Sequence, residues 1–598
     1  MQNKPLLSLV KYFKPFWLSI FFVVFLLLVQ AMAELYLPTL MSGIVNDGIV
    51  YSTETGVSRT DFILKTGVRM LFFALVAGAS SITVAFLSPR IASGVARDLR
   101  RAVFIKVENF SQAEFDKFSS ASLITRCTND VTQVQGLANI FARMLLYAPI
   151  LAFGGIFLAF QRAPSMSWIM GLMVIILLGI VGILVSIVMP KFKIAQIMTD
   201  NLTRVSRETL HGLPVIRAFG TQDYEKARFD KPNTELRKLG LFVTRLMAVV
   251  GPALTFITGF MQIIIIWYGA HQISVSGLLI GDMMAFFQYA MQTVFAFMMI
   301  SMVLVMVPRA QVSAVRIAEV LNTELTVLDS ETPKELRKPG QKGRLSNEAS
   351  DKKTVPSVLF ENVTFCYPNA EASALENISF SALPGQTTAI IGATGSGKST
   401  IAQLLLRFYD VTDGKITVDG HDIRDVRQTD LREKIGYVPQ KGQLISGTIK
   451  SNISYGNPEA TDDEIKNFAA VAQASDFINE KDGGFESEIS QGGGNVSGGQ
   501  RQRIAIARAL AKNPEIIVFD DSFSALDFQT DAKLRRALKA HTEDATIIVI
   551  AQRVGTIMNA EQILVLDEGK IIARGTHEEL IKNCPEYLEI AVSQGAAS

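Results

Sequence analysis

One stretch of eight residues has the types and spacing of a phosphate-binding loop. It reads Gly-Ala-Thr-Gly-Ser-Gly-Lys-Ser from Gly392 to Ser399, which fits the pattern Gly-x-x-x-x-Gly-Lys-Ser/Thr. The apolar run 388–391 before it predicts a strand, and the run 400–408 after it predicts a helix. In that setting backbone N–H groups at the helix N-terminus hold the phosphates, Lys398 reaches the outer phosphate oxygens and Ser399 binds Mg²⁺.

A carboxylate follows a second apolar run. Residues 516–519 read as a strand, and Asp520 comes directly after it. A carboxylate at the end of a strand beside the phosphate loop suits a contact with Mg²⁺, usually through water. The alternative is an aspartate that only caps a turn. The presence of Lys398 in the same domain favours the metal contact.

A second predicted helix begins with small residues. The stretch Asn-Val-Ser-Gly-Gly-Gln ends at Gln500, and residues 501–511 after it have helical character. Ser497, Gly498 and Gly499 would place free N–H groups at the positive end of that helix, which is a second anion site. A single nucleotide does not require two helix N-termini of the same chain to bind its phosphates. We therefore expect two chains in head-to-tail contact, with each loop facing the other chain's Ser-Gly-Gly.

The chain that must position these residues divides into an apolar half and a polar half. Of its 598 residues, 49% are hydrophobic and 19% are charged, which is too apolar for a soluble enzyme of this length. Long apolar runs dominate the first half, and an ordinary α/β sequence fills the second. We predict a membrane domain over 1–324, a linker over 325–356 and a nucleotide-binding domain over 357–598.

Charge and cysteine content exclude other classes of protein. The net charge of +2 gives no polyanion-binding surface, so a nucleic-acid partner is not expected. The three cysteines, Cys127, Cys366 and Cys584, are far apart and form no Cys-x-x-Cys pattern. A disulfide framework or a cysteine metal site is therefore not expected.

Six apolar segments are long enough, or nearly so, to cross a membrane as a helix, which takes about 20 residues. Basic residues are concentrated before the first segment and after the second, fourth and sixth, beginning with Lys4. The positive-inside rule then places both termini in the cytosol. Two cytosolic connections are too long for turns, and each is expected to carry a short helix, near 111–122 and near 212–222. The six predicted spans are 16–40, 68–87, 144–160, 169–189, 247–273 and 283–307.

Together these elements resemble the ABC transporter family, specifically exporters with fused membrane and ATP-binding domains. The resemblance covers nearly the whole chain and implies a membrane domain of six transmembrane helices followed by an α/β P-loop ATPase domain of ABC type. Val496–Gln500 is similar to the family signature, although leucine is usual at its first position. Ser524–Asp527 is similar to the D-loop. Residues 123–130 and 212–219 are similar to the two intracellular loop segments.

The resemblance implies ATP and Mg²⁺ as cofactors and assigns residues to each. Tyr367 is similar to the aromatic residue that stacks on adenine, and Gln440 matches the Q-loop. The implied Mg²⁺ contacts are Ser399, Gln440 and Asp520. The implied ATP contacts are Tyr367, Gly392, Gly395, Ser396, Gly397, Lys398, Ser399 and Thr400, with Ser497, Gly498, Gly499, Gln500 and Asp527 acting on the ATP of a second chain.

Two residues depart from the family pattern at the hydrolytic step. The family normally has glutamate directly after the strand-end aspartate, and here that residue is Asp521; its switch histidine is replaced by Gln552. Aspartate is one methylene shorter, and glutamine takes up no proton at neutral pH. The resemblance then suggests the degenerate-site subunit of a bacterial heterodimeric multidrug exporter. In that arrangement Asp521, Gln552 and Gln440 form a poor catalytic site, and the partner supplies a competent one. The alternative is harmless drift in an active homodimer.

The cargo is less well defined by the sequence. Glu34 lies well inside the first predicted span, where a carboxylate is costly and usually functional. It is a candidate contact for cationic cargo or a proton; the alternative is a hydrogen bond to a neighbouring helix or a water-exposed position. By resemblance alone the cargo is amphipathic and drug-like, carried across the cytoplasmic membrane of a bacterium. Lipid export, peptide export and a nucleotide-gated channel or regulator remain alternatives.

Overall fold

The computed structural model describes residues 9–144, 146–336, 355–368 and 370–596. The chain forms two compact units. The first comprises Met1–Glu108 and Ser120–Thr323, and the second comprises Asn109–Ser119 and Glu324–Ser598. Lys4 and most of the predicted linker, 337–354, lie outside the described residues.

The first unit is helical. Helices cover all six predicted spans, and five of their apolar stretches are long enough to cross a membrane within the described part of the chain. The fourth span contributes the shorter apolar helix Pro164–Ile180 there. The helices are α1 Trp17–Gly43, α2 Tyr51–Thr55, α3 Thr60–Glu108, α5 Ser120–Thr125, α6 Val131–Met144, α7 Tyr147–Arg162, α8 Ser167–His211, α9 Leu213–Phe219, α10 Gln222–Ser276 and α11 Ile280–Asn322; α4 Gln112–Lys117 belongs to the second unit.

Several helices are longer than a bilayer requires. Helix α3 has 49 residues and α10 has 55, which at about 1.5 Å per residue gives lengths of roughly 70–80 Å. A hydrocarbon core is only about 30 Å thick. These helices therefore extend well beyond the membrane, as the long connections predict.

A short helix lies at each predicted break in the two long connections. Helix α4 begins after Ser111, whose side chain and that of Glu114 form a capping box. Helix α9 ends at Phe219 and is followed by its C-cap Gly220, which has a φ of 67°. Glycine adopts that left-handed conformation without steric cost, so the chain can turn there and enter α10.

The second unit contains a six-stranded sheet of order β12-β11-β3-β10-β9-β6, a four-stranded antiparallel sheet of order β2-β1-β4-β5 and the pair β7-β8. In the larger sheet β11, β3, β10, β9 and β6 are parallel. The strands are β1 Val358–Phe365, β2 Leu375–Ala382, β3 Thr387–Gly392, β4 Asp413–Val418, β5 His421–Asp422, β6 Ile435–Val438, β7 Gly447–Thr448, β8 Glu488–Ile489, β9 Ile516–Asp520, β10 Thr546–Ile550, β11 Gln562–Asp567 and β12 Lys570–Gly575.

Helices of the second unit cover the parallel sheet. All five residues of β9 are buried, as are the four central residues of β3. Such unbroken apolar strands are typical of a parallel sheet that is covered on both faces. The helices are α12 Lys398–Leu405, α13 Gln428–Lys434, α14 Ile449–Ser454, α15 Asp462–Val471, α16 Ser475–Asn479, α17 Gly498–Ala511, α18 Phe528–His541, α19 Val554–Ile557, α20 His577–Asn583 and α21 Pro585–Ser593.

Candidate functional site

Four neighbouring parallel strands place the predicted catalytic residues at one edge of the sheet. Strand β3 leads into the phosphate loop, β9 ends at Asp520, and Gln440 and Gln552 follow β6 and β10. In register, Ile550 of β10 pairs with both Ile390 and Asp520. Because the carboxyl ends of parallel strands meet at the same edge, residues far apart in sequence converge there.

Two glycines of the loop cannot be replaced without displacing backbone. Gly397 has a φ of 95°, and a Cβ there would lie 2.7 Å from the Ala374 carbonyl oxygen. A Cβ at Gly392 would lie 2.1 Å from the Leu566 carbonyl oxygen. The loop can therefore pass this close to its neighbours only because these residues carry no side chain.

Lys398 is held inside the loop that it follows. Its ammonium group donates hydrogen bonds to the carbonyl oxygens of Gly392 at 2.9 Å and Ala393 at 2.6 Å. Burial lowers the pKa of Lys398, and the charges of Asp521 and Asp520 oppose that shift. A bound phosphate would offer this buried cation a charged partner in place of the loop carbonyls.

Ser399 and Asp520 meet directly. The Ser399 hydroxyl donates to Asp520 at 2.9 Å, and the Tyr437 hydroxyl donates to the other carboxylate oxygen at 3.3 Å. Burial raises the pKa of Asp520, although both hydrogen bonds oppose the shift. This buried set of hydroxyl and carboxylate oxygens suits Mg²⁺, a hard cation that prefers oxygen ligands. Ser399 and Gln440 would contact the ion, which would neutralise phosphate charge, and Asp520 would act through water.

The Asp521 side chain contacts both Gln440 and Gln552. The side-chain amides of Gln440 and Gln552 donate to the same Asp521 oxygen, at 3.1 Å and 3.3 Å. Asp521 has a φ of 48°, and its N–H donates to the Ile550 carbonyl at 2.8 Å. Aspartate is among the few non-glycine residue types that adopt this left-handed region. The structure therefore brings Gln440, Asp521 and Gln552 together beside Lys398 and Asp520.

Both halves of the chain match known protein families. Residues 20–297 match the ABC transporter transmembrane region, and residues 375–524 match the ABC transporter family. An ABC transporter ATP-binding protein of Mycobacterium tuberculosis is 38% identical over 99% of both chains. This chain belongs to the ABC transporter family. It is an integral membrane protein that couples ATP hydrolysis to export, with ATP and Mg²⁺ as cofactors.

One further relative and one solved structure are similar to this chain over nearly their whole length. An ATP-dependent lipid A-core flippase of Aliivibrio fischeri is 30% identical and aligns over 94% of this chain and 93% of its own. A bacterial Atm1-family ABC exporter, solved with ATP bound, superposes with a TM-score of 0.76 at 24% identity. The superposition covers 97% of this chain and 98% of the exporter chain. At that identity the likeness concerns the fold alone.

Tyr367 of this ABC transporter lies next to the phosphate loop. Its hydroxyl is 2.9 Å from the Thr400 hydroxyl and donates to Gln403 at 3.0 Å. Its ring packs edge-on against Phe365 and Tyr409. The ring is half-buried, and burial raises the pKa of its hydroxyl. Tyr367 is therefore anchored to the first turn of α12 by its hydroxyl.

The signature segment begins α17 with a capping box. Ser497 accepts from the Gln500 N–H at 3.2 Å, and Gln500 accepts from the Ser497 N–H at 3.0 Å. Ser497 and Gly498 are exposed. A Cβ at Gly498 would meet no heavy atom within 4 Å, whereas one at Gly499 would lie 3.2 Å from the Ala525 oxygen. The start of this 14-residue helix is thus well formed and open to solvent.

Asp527 has a structural role within the chain. It begins α18 as its N-cap and accepts from the Thr530 N–H at 2.9 Å. That hydrogen bond lowers the pKa of Asp527. The D-loop aspartate therefore fixes the start of a helix, and its contribution to a second chain's ATP stays a prediction.

Sequence reasoning missed two tyrosines near the site. Tyr437 contacts Asp520, and it could have been found from its position three residues before Gln440 on a strand beside β9. The Tyr409 hydroxyl donates to Asp116 of α4 at 2.7 Å within the second unit. Nothing in the sequence signals that contact, because the two residues are 293 positions apart.

Glu34 lies in a small group of polar side chains in the first unit. Gln30 donates to its carboxylate at 3.1 Å, the Tyr147 hydroxyl donates to its other oxygen, and Gln292 donates to its backbone carbonyl at 3.3 Å. Helices α1, α7 and α11 supply these residues. Among the described residues Glu34 forms no ion pair with a basic side chain. Its hydrogen bonds come from neutral donors.

Proposed function

We propose that this chain is the degenerate-site subunit of a heterodimeric ABC exporter. The supporting observation is the environment of Asp521. Its carboxylate accepts hydrogen bonds from the neutral side-chain amides of Gln440 and Gln552. An amide can orient a water molecule or contact the γ-phosphate, but it cannot accept a proton at neutral pH. The site would then bind Mg²⁺-ATP through Lys398 and Ser399 and hydrolyse it slowly.

The second half of the proposal concerns the signature. Ser497 and Gly498 are exposed at the positive end of a regular helix, and Gly499 beside them is partly buried. Helix N-termini of this kind bind phosphate groups. In a head-to-tail pair this end would face the ATP of a partner half-transporter that carries the glutamate and the histidine. Asp527 and Gln500 would support that contact. Turnover would then occur mainly at the partner's site.

We also propose an amphipathic, drug-like cargo and assign Glu34 a part in its binding. A carboxylate inside a membrane costs about 2.5–3.5 kcal/mol on insertion scales. Hydrogen bonds from Gln30 and Tyr147 offset part of that cost, but no basic side chain among the described residues neutralises the charge. A cationic group on the cargo would do so. We place the protein in a bacterial cytoplasmic membrane, with its termini and ATP-binding domain in the cytosol.

A homodimeric lipid exporter is the second candidate. It is favoured by the 30% identity to a lipid A-core flippase over most of both chains. In that case Asp521 and Gln552 would suffice for turnover. The cargo would then be a membrane lipid, and the cationic role of Glu34 would not apply.

The ATPase activity of the chain purified alone, and again after co-expression with a candidate partner, tests the proposal. We expect negligible activity alone and at least about a hundredfold more with the partner, since positioning and proton-transfer groups contribute about 10²–10⁴ in rate. Rapid, cooperative ATP hydrolysis by the chain alone would contradict the heterodimer proposal and favour the homodimer. Uptake of a cationic dye or a labelled lipid into inverted vesicles then separates the two cargoes.

A further inference from the structure

The C-terminal segment contacts the backbone on both sides of the switch residue Gln552. The side-chain oxygen of Gln594 accepts a hydrogen bond from the Val554 N–H at 2.8 Å. Its side-chain nitrogen donates to the Gln552 carbonyl oxygen at 2.8 Å. One planar amide therefore bridges residues 552–554 with two bonds of ordinary length. We call this pair of bonds the Gln594 clamp.

The bridged backbone needs an outside partner. Val554 is the first residue of α19, a helix of only four residues, and the first N–H groups of a helix have no partner within it. Arg553, at the N-cap, makes no capping hydrogen bond with its side chain. The Gln552 carbonyl lies just beyond the end of β10. Gln594 thus supplies one acceptor and one donor that the local segment lacks.

Gln594 is itself held by a packed helix. It follows α21, in which Tyr587 and Ala591 are completely buried. The Tyr587 hydroxyl lies 2.7 Å from a ring nitrogen of His577. Beyond Gln594 the chain folds back, and the Ala596 N–H donates to the Ala591 carbonyl at 2.8 Å. A side chain mounted on such an anchored turn can fix the position of another segment.

We propose that Gln594 is a positioning residue for Gln552. The clamp holds the backbone from which the Gln552 amide reaches Asp521 at 3.3 Å, so the C-terminal segment sets the geometry of the switch residue. This inference rests on the proposed role of Gln552 at the γ-phosphate. In the described part of the chain, the side-chain hydrogen bonds of Gln594 go to Gln552 and Val554 and not to the phosphate loop. Its removal should therefore alter the turnover or retention of bound ATP and leave the initial affinity unchanged.

Hydrogen exchange of the full-length protein in lipid nanodiscs tests the clamp itself. Gln594→Met keeps the shape of the side chain but removes both hydrogen bonds. We expect the Val554 amide to exchange about fivefold faster in this variant, as the loss of about 1 kcal/mol predicts. Ser593→Ala is the matched control, because it removes an exposed hydroxyl next to Gln594 that donates to the Ile590 carbonyl and leaves both bonds of the clamp in place. Unchanged exchange at Val554 in Gln594→Met overturns the clamp.

Kinetics in the same preparations test the positioning role. For Gln594→Met we expect kcat and the release rate of a fluorescent ATP analogue to change about threefold to tenfold, in the direction seen for Gln552→Ala and with unchanged KM, since small displacements of a catalytic group have effects of this size. The double variant should match Gln552→Ala alone. Effects that add in the double variant overturn the positioning role. If Gln552→Ala leaves the kinetics unchanged while the Val554 amide still exchanges faster in Gln594→Met, the proposed role of Gln552 is overturned and the clamp is supported.

Discussion

Gln440 and Asp521 are joined by a 3.1 Å hydrogen bond between a side-chain amide and a carboxylate oxygen. Gln552 donates to that same oxygen at 3.3 Å. The carboxylate at the family's glutamate position thus accepts hydrogen bonds from two neutral donors. Glutamate is longer by one methylene and would carry its carboxylate farther from the same backbone position.

We predict that Asp521→Glu raises ATP turnover of this chain's own site by about tenfold or more, because it restores the longer base in a position where such groups contribute 10²–10⁴ in rate. The measurement is kcat of the purified chain, alone and with its partner. Asp521→Asn is the control, since it keeps the length of aspartate and removes the charge, and it should lower turnover. Equal rates in all three proteins would mean that residue 521 does not limit hydrolysis.

A second prediction concerns the buried charge of Asp520. Burial raises its pKa above that of an ordinary aspartate, so at neutral pH its charge opposes folding of the nucleotide-free protein. Asp520→Asn should therefore raise Tm at pH 7 and lower affinity for Mg²⁺-ATP about tenfold or more through loss of the Mg²⁺ contact.

The pH dependence of the Tm gain in Asp520→Asn follows from the raised pKa of Asp520. The Tm gain of Asp520→Asn is full above the raised folded-state pKa, and it should shrink as the pH falls through that pKa toward the ordinary value of about 3.9. Scanning calorimetry in detergent at several pH values measures it. A destabilised Asp520→Asn protein at pH 7 would show that the Ser399 and Tyr437 hydrogen bonds outweigh burial.

Local patterns in the sequence predicted most of the fold and the strands and helices that carry the candidate site. The phosphate loop, the strand before Asp520 and the helix after Ser497 depend on short-range signals: glycine spacing, apolar runs and a small-residue helix start. The structure has each of them within a few residues of the predicted bounds. The long helices follow from apolar runs in the same way.

Other features arise only when the chain folds on itself. Asp116 and Tyr409 are 293 residues apart, and Gln594 and Gln552 are 42 apart. No periodicity or motif links such pairs. The positive φ of Asp521 is likewise set by the sharp turn after β9, where its N–H must reach the Ile550 carbonyl. Conformations and contacts of this kind follow from tertiary packing, which local sequence does not encode.

We predict that Tyr409→Phe loosens α4 from the rest of the second unit. The variant removes only the hydroxyl that donates to Asp116, and the loss should be about 1 kcal/mol. Amides of residues 112–117 should then exchange about fivefold faster in hydrogen-exchange measurements. Tyr455→Phe is the control, because Tyr455 is exposed on the same unit. If residues 112–117 exchange at the wild-type rate in Tyr409→Phe, the Asp116 bond does not hold α4.

A further prediction compares two ion pairs of the first unit. Asp282 is largely buried, accepts from Ser42 at 2.7 Å and lies 3.4 Å from Arg162. The pair Asp61–Lys65 is closer, at 2.8 Å, but both side chains are exposed. Asp282→Asn should cost about 1–3 kcal/mol, whereas Asp61→Asn should change stability by less than about 0.5 kcal/mol. Thermal unfolding in nanodiscs measures both, and equal shifts would contradict the argument from burial.

The last prediction concerns Glu34 and the charge of the cargo. Glu34→Gln keeps the size of the side chain and can still accept the hydrogen bond from Tyr147, but it removes the negative charge. If a cationic group on the cargo pairs with this carboxylate, transport of cationic amphiphiles into inverted vesicles should fall about tenfold, the effect of losing roughly 1.4 kcal/mol of binding. Transport of neutral analogues should be unchanged.

Glu54→Gln serves as the control, because Glu54 is an exposed carboxylate outside the polar group around Glu34. Equal loss of cationic and neutral transport in Glu34→Gln would show that the side chain supports packing of α1 against α7 through Gln30 and Tyr147. Unchanged transport of both kinds would remove Glu34 from the binding site. Only a loss of transport that is confined to cationic compounds supports pairing between the Glu34 carboxylate and a cationic group on the cargo.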